Sequence, residues 1–375
     1  MDRALQLLKE LIGVDSINPS LVPGAAGEAA VARTIAEAMR GMGLKVETQD
    51  AAPGRPNVVG TLEGRVRGRS LMFCGHIDTV GVSAMKAPFD PVERNGKIYG
   101  RGSQDMKSGV AAMIDAARVI SESGGLAAGK LVIACVVDEE HASIGADALV
   151  TRWRADAAVV TEPTDLQVAI AHKGFEWVEI ETEGRAAHGS RPRDGRDAIR
   201  LMGRVLNGLD VIDKGLQSKP PHSLLGAASL HASLIEGGRE LSSYPDRCHL
   251  QMERRTIPGE APGVAAREVE ALLTRLRADD PAFKAASKEM FARSPYEIAA
   301  DHELPQSMIR AAGSSSAAIG MSFWTDAAIL GDAGIPSILY GPTGAGLHSV
   351  EEWVDAGSVV TCRDALVALA RDWCR

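Results

Sequence analysis

Apolar and polar positions in the first third of the chain switch repeatedly between two periods. Spacings of three and four predict helices over 4–12 and 27–42, and short alternating or continuous apolar runs predict strands over 44–48, 57–62 and 70–74. A helix over 108–123 and a continuously apolar strand over 130–137 follow, and a further apolar run covers 157–160. Such alternation implies an α/β class domain, a layered sheet with helices on its faces. In that architecture ligands sit beyond the carboxyl ends of the strands, so polar residues just after an apolar run carry the functional interest.

The texture changes near Lys173. A strand over 175–182, a helix over 197–209, strands over 227–235 and 248–253, a helix over 262–276 and a last strand near 284–291 predict a small α+β unit. After it, helices over 304–312 and 362–373 and a strand over 337–340 return to the first texture. The expected organisation is a discontinuous domain, 1–173 with 293–375, interrupted by an inserted domain at 174–292. Length agrees, because 375 residues are too many for one comfortable core. No internal repeat or low-complexity tract is present.

A net charge of −8 with no basic stripe argues against nucleic acid or an anionic membrane surface as partner and leaves a small molecule as the expected ligand. The five cysteines, Cys74, Cys135, Cys248, Cys362 and Cys374, form an odd set without CxxC spacing, so neither a disulfide framework nor a thiolate metal site is expected. A reducing cytoplasm fits that usage. The opening helix carries charge throughout rather than a basic stretch before an apolar one, so no export signal is expected. No apolar run approaches the roughly 20 residues that span a bilayer.

Five places after apolar runs or in glycine-rich loops hold the chemistry. Leu71-Met72-Phe73-Cys74 ends in Gly75-His76-Ile77-Asp78, an imidazole and a carboxylate on one side of an extended segment. Alone, such a pair is more often a hydrogen-bonded loop pair than a ligand. Asp105, in Gly100-Arg101-Gly102-Ser103-Gln104-Asp105, stands at the mouth of a helix, where a cap is the plain reading. The loop lacks both phosphate-cradling spacings. Asp138-Glu139-Glu140 ends a buried-looking strand, and adjacent carboxylates there are costly unless cations compensate them. Glu162, before Pro163, is a fourth strand-end acid, and His348 closes a glycine-rich loop.

Read together with their surroundings, GHIDTV, YGRGSQDMKSG, DEEHASIGA, TEPT, AAHGSRP, ERRTIPGE and GPTGAGLHSVEEWV occur in an order that resembles the M20 family of metallopeptidases and deacylases across nearly the whole chain. The resemblance implies a layered zinc-peptidase-like catalytic domain with an inserted α+β lid and dimerisation domain. It implies that His76 and Glu162 bind one divalent ion, Glu140 and His348 a second, and that Asp105 bridges both. Zinc is the ion the resemblance favours, and the imidazole and carboxylate donors also suit cobalt or manganese. By the same resemblance Asp78 supports the His76 ring and Glu139 is the general base. His188 reaches the active site, often that of a partner subunit, and Arg255 holds a substrate carboxylate. Arg254, on the opposite strand face, is the structural alternative. A cis bond between Asp105 and Met106 and a cytoplasmic homodimer formed through the lid are further expectations.

The implied reaction is hydrolysis of the amide bond of an N-acyl amino acid, as in acetylornithine deacetylase-like or succinyl-diaminopimelate desuccinylase-like deacylases. A dipeptidase or glutamate-releasing carboxypeptidase is the alternative. A non-catalytic binding protein would be expected to lack a ligand or the base, and none is missing. A nucleotide-dependent oxidoreductase lacks its glycine fingerprint. Ser242, where many relatives carry asparagine, puts substrate identity in question, and Ser108 replaces a common glycine. His141, His172, His222, His231, His249 and His302 read as structural or surface residues, and Cys74 and Cys135 as small hydrophobes.

Overall fold

The computed structural model describes residues 2–313 and 317–375. Its chain divides into two compact units: Met1–Ile170 with Ile298–Ile319 and Thr325–Arg375, and Ala171–Glu297 with Gly320–Trp324. The inserted segment is thus a few residues longer at each end than 174–292, and it takes in a short return piece at 320–324.

In the first unit the strands pair in the order Lys45–Ala52, Arg55–Glu63, Ala128–Val136, Val66–His76, Ala157–Val160, Ser337–Leu339 and Ala169–Ile170, the first half of the Ala169–His172 strand. Four of them, Ala128–Val136, Val66–His76, Ala157–Val160 and Ser337–Leu339, run parallel in the middle. Parallel strands covered on both faces need continuous apolar runs. Leu71 to Cys74, Leu131 to Val136 and Ala157 to Val160 supply these and are buried. Each fully buried Val, Leu, Ile or Phe side chain among them stabilises the fold by roughly 1.5–3 kcal/mol.

The Lys107–Glu122 helix packs against this sheet and against the Arg3–Ile12 and Ala356–Trp373 helices. Small residues let it approach closely. A Cβ on Gly109 would lie 2.0 Å from the Thr161 carbonyl oxygen, so only glycine allows this helix to sit against the end of the Ala157–Val160 strand. The Ala356–Trp373 helix begins six residues before the expected 362, because Asp355 caps it by accepting the Ser358 N–H. The Ile144–Arg152 helix has no counterpart in the periodicity, since it buries only Gly145, Ala146 and Leu149. Among the described residues, no helix is long and apolar enough to cross a membrane. All five cysteines are free and buried.

The second unit is a four-stranded antiparallel sheet ordered Ser229–Gly237, Arg247–Thr256, Gly174–Glu183, Lys284–Arg293. The Ala198–Gln217 and Val264–Asp279 helices cover it, and Val178, Ile180, Leu201, Val205, Leu250 and Leu273 lie in its core.

His172 belongs to this unit and is fully buried between the rings of Tyr296 and Trp324. Its Nδ1–H donates to the Lys173 carbonyl at 3.0 Å, while Nε2 has no hydrogen-bond partner among the described residues. Burial pushes its pKa down to about 4. Between that value and the roughly 6.5 of an unfolded histidine, the unfolded chain binds more protons, so stability falls as pH drops through this window. The loss amounts to about 3 kcal/mol. Thermal unfolding of the wild type and His172→Gln should therefore differ most at pH 7 and converge toward pH 4.5. A gap independent of pH would contradict this account.

Candidate metal centre

The three middle strands Ala128–Val136, Val66–His76 and Ala157–Val160 are neighbours and parallel, so their carboxyl ends emerge together. His76 is the last residue of Val66–His76, Glu139 and Glu140 follow Ala128–Val136, and Glu162 follows Ala157–Val160. Asp105 comes from the loop before the Lys107–Glu122 helix, and His348 from the loop after the neighbouring Ser337–Leu339 strand. The Asp105–Met106 peptide bond is cis.

The His76 ring is buried, and its Nδ1–H donates to the Asp78 backbone carbonyl at 3.1 Å. Nε2 then faces Asp105 Oδ1 at 3.1 Å, Glu162 Oε1 at 3.9 Å and Glu139 Oε2 at 3.9 Å. On the other side, His348 Nε2 lies 3.2 Å from Asp105 Oδ2 and 3.0 Å from Glu140 Oε2. Asp105 thus turns one oxygen toward each imidazole. Among the described residues, two sets of donor atoms lie mutually within 4.8 Å, His76 with Asp105 and Glu162, and Asp105 with Glu140 and His348. The first set is largely buried, and His348 in the second is half exposed.

The acidic triplet divides its work. Asp138, at φ +70°, takes hydrogen bonds from Asn18 and from Arg55, whose guanidinium also pairs with the buried Glu28. It is structural. Asp78 accepts the backbone N–H groups of Glu139 at 3.1 Å and Glu140 at 3.2 Å, and Asn18 at 2.8 Å. Its carboxylate stands 3.5 Å from His76 Nδ1, farther than its own carbonyl. Asp78 therefore grips the turn carrying Glu139 and Glu140 as well as orienting the ring.

The electrostatics show a cluster short of positive charge. Burial lifts the Glu139 and Glu162 carboxyls well above their ordinary range, with neighbouring acids adding to it. Burial and the Asp105 charge raise Glu140 to about 7. Hydrogen bonds to Asp105 and Glu140 hold His348 up at about 10. Burial works against ionising Asp105, but His348 and His76 outweigh it and keep that carboxylate charged. Glu140 Oε1 is buried without a hydrogen-bond partner among the described residues. Oxygen and nitrogen donors so arranged, with an orphaned buried carboxylate oxygen, fit divalent cations.

His188 and Arg255 belong to the second unit, apart from the five donors in the chain's division. His188 is exposed, and its Nδ1 lies 2.8 Å from Ser190 Oγ and 3.2 Å from the Ser190 backbone nitrogen. Arg255 is one-third exposed, holds Glu253 at 2.6 Å and lies over the Phe175 ring. Arg254, on the other strand face, is fully buried against Glu260 and Glu268. Two further residues at the site carry no signal in the sequence: Asn18, which donates to Asp78 and Asp138, looks like an ordinary turn residue, and Glu352, which accepts the Asp105 N–H, is one acid in a charged run.

A profile of peptidase family M20/M25/M40 matches residues 72–372. The chain is 28% identical to the N-formyl-4-amino-5-aminomethyl-2-methylpyrimidine deformylase of Bacillus subtilis, covering all of this chain and 95% of that protein. It is also 28% identical to the acetylornithine deacetylase of Myxococcus xanthus, over 87% of this chain and 86% of the relative. Among solved structures, a dinuclear metal binding peptidase of the M20 family from Bacillus subtilis superposes with a TM-score of 0.74 at 16% identity, covering 99% of this chain and 98% of that one.

Proposed function

The chain belongs to peptidase family M20/M25/M40 and is a metal-dependent amidohydrolase, and from that premise we propose that it hydrolyses N-acyl amino acids at a two-cation site. The observation that carries this reading is the pair of donor sets sharing Asp105, with Glu139 beside them and in neither. His76 and Glu162 would hold one ion, Glu140 and His348 the other, and Asp105 both; zinc suits the donors, as do cobalt and manganese. Bound there, such ions supply a water that loses its proton near neutral pH and a positive charge for a carbonyl oxygen.

The chain's own residues do the rest. Glu139 takes a proton from the attacking water and returns it to the leaving nitrogen. Asp78 keeps Glu139 and Glu140 in register through their backbone N–H groups. His188 donates a ring N–H to the developing oxyanion. Arg255 binds the substrate carboxylate, a role for which its fork and partial exposure suit it better than the fully paired Arg254. A cytoplasmic homodimer through the inserted unit completes the proposal, supported by the exposed Leu234, Ile235 and Leu241 on that unit and by the five free cysteines.

The full-length similarity to a deformylase favours a second reading, removal of a formyl group from an amine without a carboxylate. Protein reconstituted with zinc and offered N-acetyl, N-succinyl and N-formyl amino acids, dipeptides and an N-formyl heteroaromatic amine separates the two. The leading reading expects the highest kcat/KM on an N-acyl amino acid and a raised KM in Arg255→Met. Turnover confined to the formyl amine, indifferent to Arg255, would replace it.

A further inference from the structure

Building on the two-cation reading, we infer that Glu352 is a positioning residue of the metal centre, fastening the loop that carries Asp105 to the loop that carries His348. Glu352 stands four residues after His348 and is buried. Its Oε1 accepts the backbone N–H of Gln104 at 2.8 Å and of Asp105 itself at 3.0 Å. Its Oε2 accepts the Gly102 N–H at 3.0 Å and the Arg101 guanidinium at 2.5 Å. The second terminal nitrogen of Arg101 donates to the carbonyls of Gly81 and Ser349, both at 3.0 Å, so the same pair reaches the residue next to His348.

Neutralising Arg101 needs only one carboxylate oxygen. Three backbone N–H groups converging on both oxygens do something else: they hold the 102–105 loop at a set height against the His348 loop. Asp105 has to present Oδ1 to one donor set and Oδ2 to the other, 3.1 Å and 3.2 Å from the two imidazoles. A loop that shifted by a fraction of an ångström would spoil both sets together. Glutamine at 352 keeps the shape but turns one acceptor into a donor, facing either two backbone N–H groups or Gly102 and Arg101.

The test is Co²⁺ titration of the full chain, followed by chelator competition and by the visible spectrum of the bound ions. Wild type is compared with Glu352→Gln and with the double variant Arg101→Met/Glu352→Met, which removes the buried pair together and leaves no lone charge. Thermal unfolding checks that each variant is folded. Both ions should bind about 10–100-fold more weakly in the variants, with both spectral components altered. Folded variants that bind two Co²⁺ with wild-type affinity and spectrum overturn the role of Glu352 and leave the two-cation reading standing. Wild type that binds no Co²⁺ overturns that reading itself.

Discussion

Glu139→Gln is expected to lower kcat by roughly 10²–10⁴-fold with KM changed little, the range that a positioned general base contributes. Glu139 lies in neither donor set, yet its carboxylate is 3.9 Å from His76 Nε2 and largely buried beside the site. Burial holds its carboxyl well above the ordinary range, with Glu162, Asp326 and Glu140 adding to the rise against the pull of His76. A buried carboxyl made more basic in this way is suited to taking a proton from water and passing it to a leaving nitrogen. Glutamine keeps the shape and loses the basicity. Steady-state kinetics on the best substrate, with metal content measured on the same sample, check this. Two ions per chain should remain in the variant. A kcat near wild type would remove Glu139 from the chemistry, and loss of an ion along with activity would make it a ligand instead.

Removing the metal should have an effect at least as large. Protein dialysed against a chelator is expected to fall to background activity and to recover when Zn²⁺ or Co²⁺ is returned. Asp105→Asn should be the most damaging single ligand change, because the two donor sets share only that residue. Glu162→Gln and His348→Asn should each weaken chiefly one ion. Bound cations also stabilise the folded state by mass action, about 4 kcal/mol when free ion exceeds Kd a thousandfold. Chelation should therefore lower the unfolding midpoint as well, and Asp105→Asn should lower it without chelator. Full activity after exhaustive chelation, or two tightly held ions in Asp105→Asn, would contradict the shared-ligand arrangement.

Much of the site was legible because strand ends are. An apolar run that stops at His76, at Asp138-Glu139-Glu140 or at Glu162 marks a carboxyl edge, and period alone identifies the run. The division of labour inside the acidic triplet was not. Asp138 is structural because Arg55 and Asn18, 83 and 120 residues away, reach its carboxylate. Nothing local marks those partners. Glu352 shows the same limit at 251 residues from Arg101. The Ile144–Arg152 helix escaped for another reason: a helix with three buried positions leaves little periodicity to read.

What the sequence determined by itself is the set of elements, the α/β texture interrupted by an α+β unit, and the five strand-end and loop residues whose order resembles one family. Local periodicity and turn chemistry act over a few residues, so they survive in a one-dimensional string. Which oxygen of Asp105 faces which histidine, which of Arg254 and Arg255 stays accessible, and which acids hold the ligand loops were decided only in the tertiary structure. Those depend on pairs brought together from across the chain, and on burial, which turns ordinary carboxylates into groups that need a cation or a proton. Burial is a property of the packed molecule, not of any residue in it.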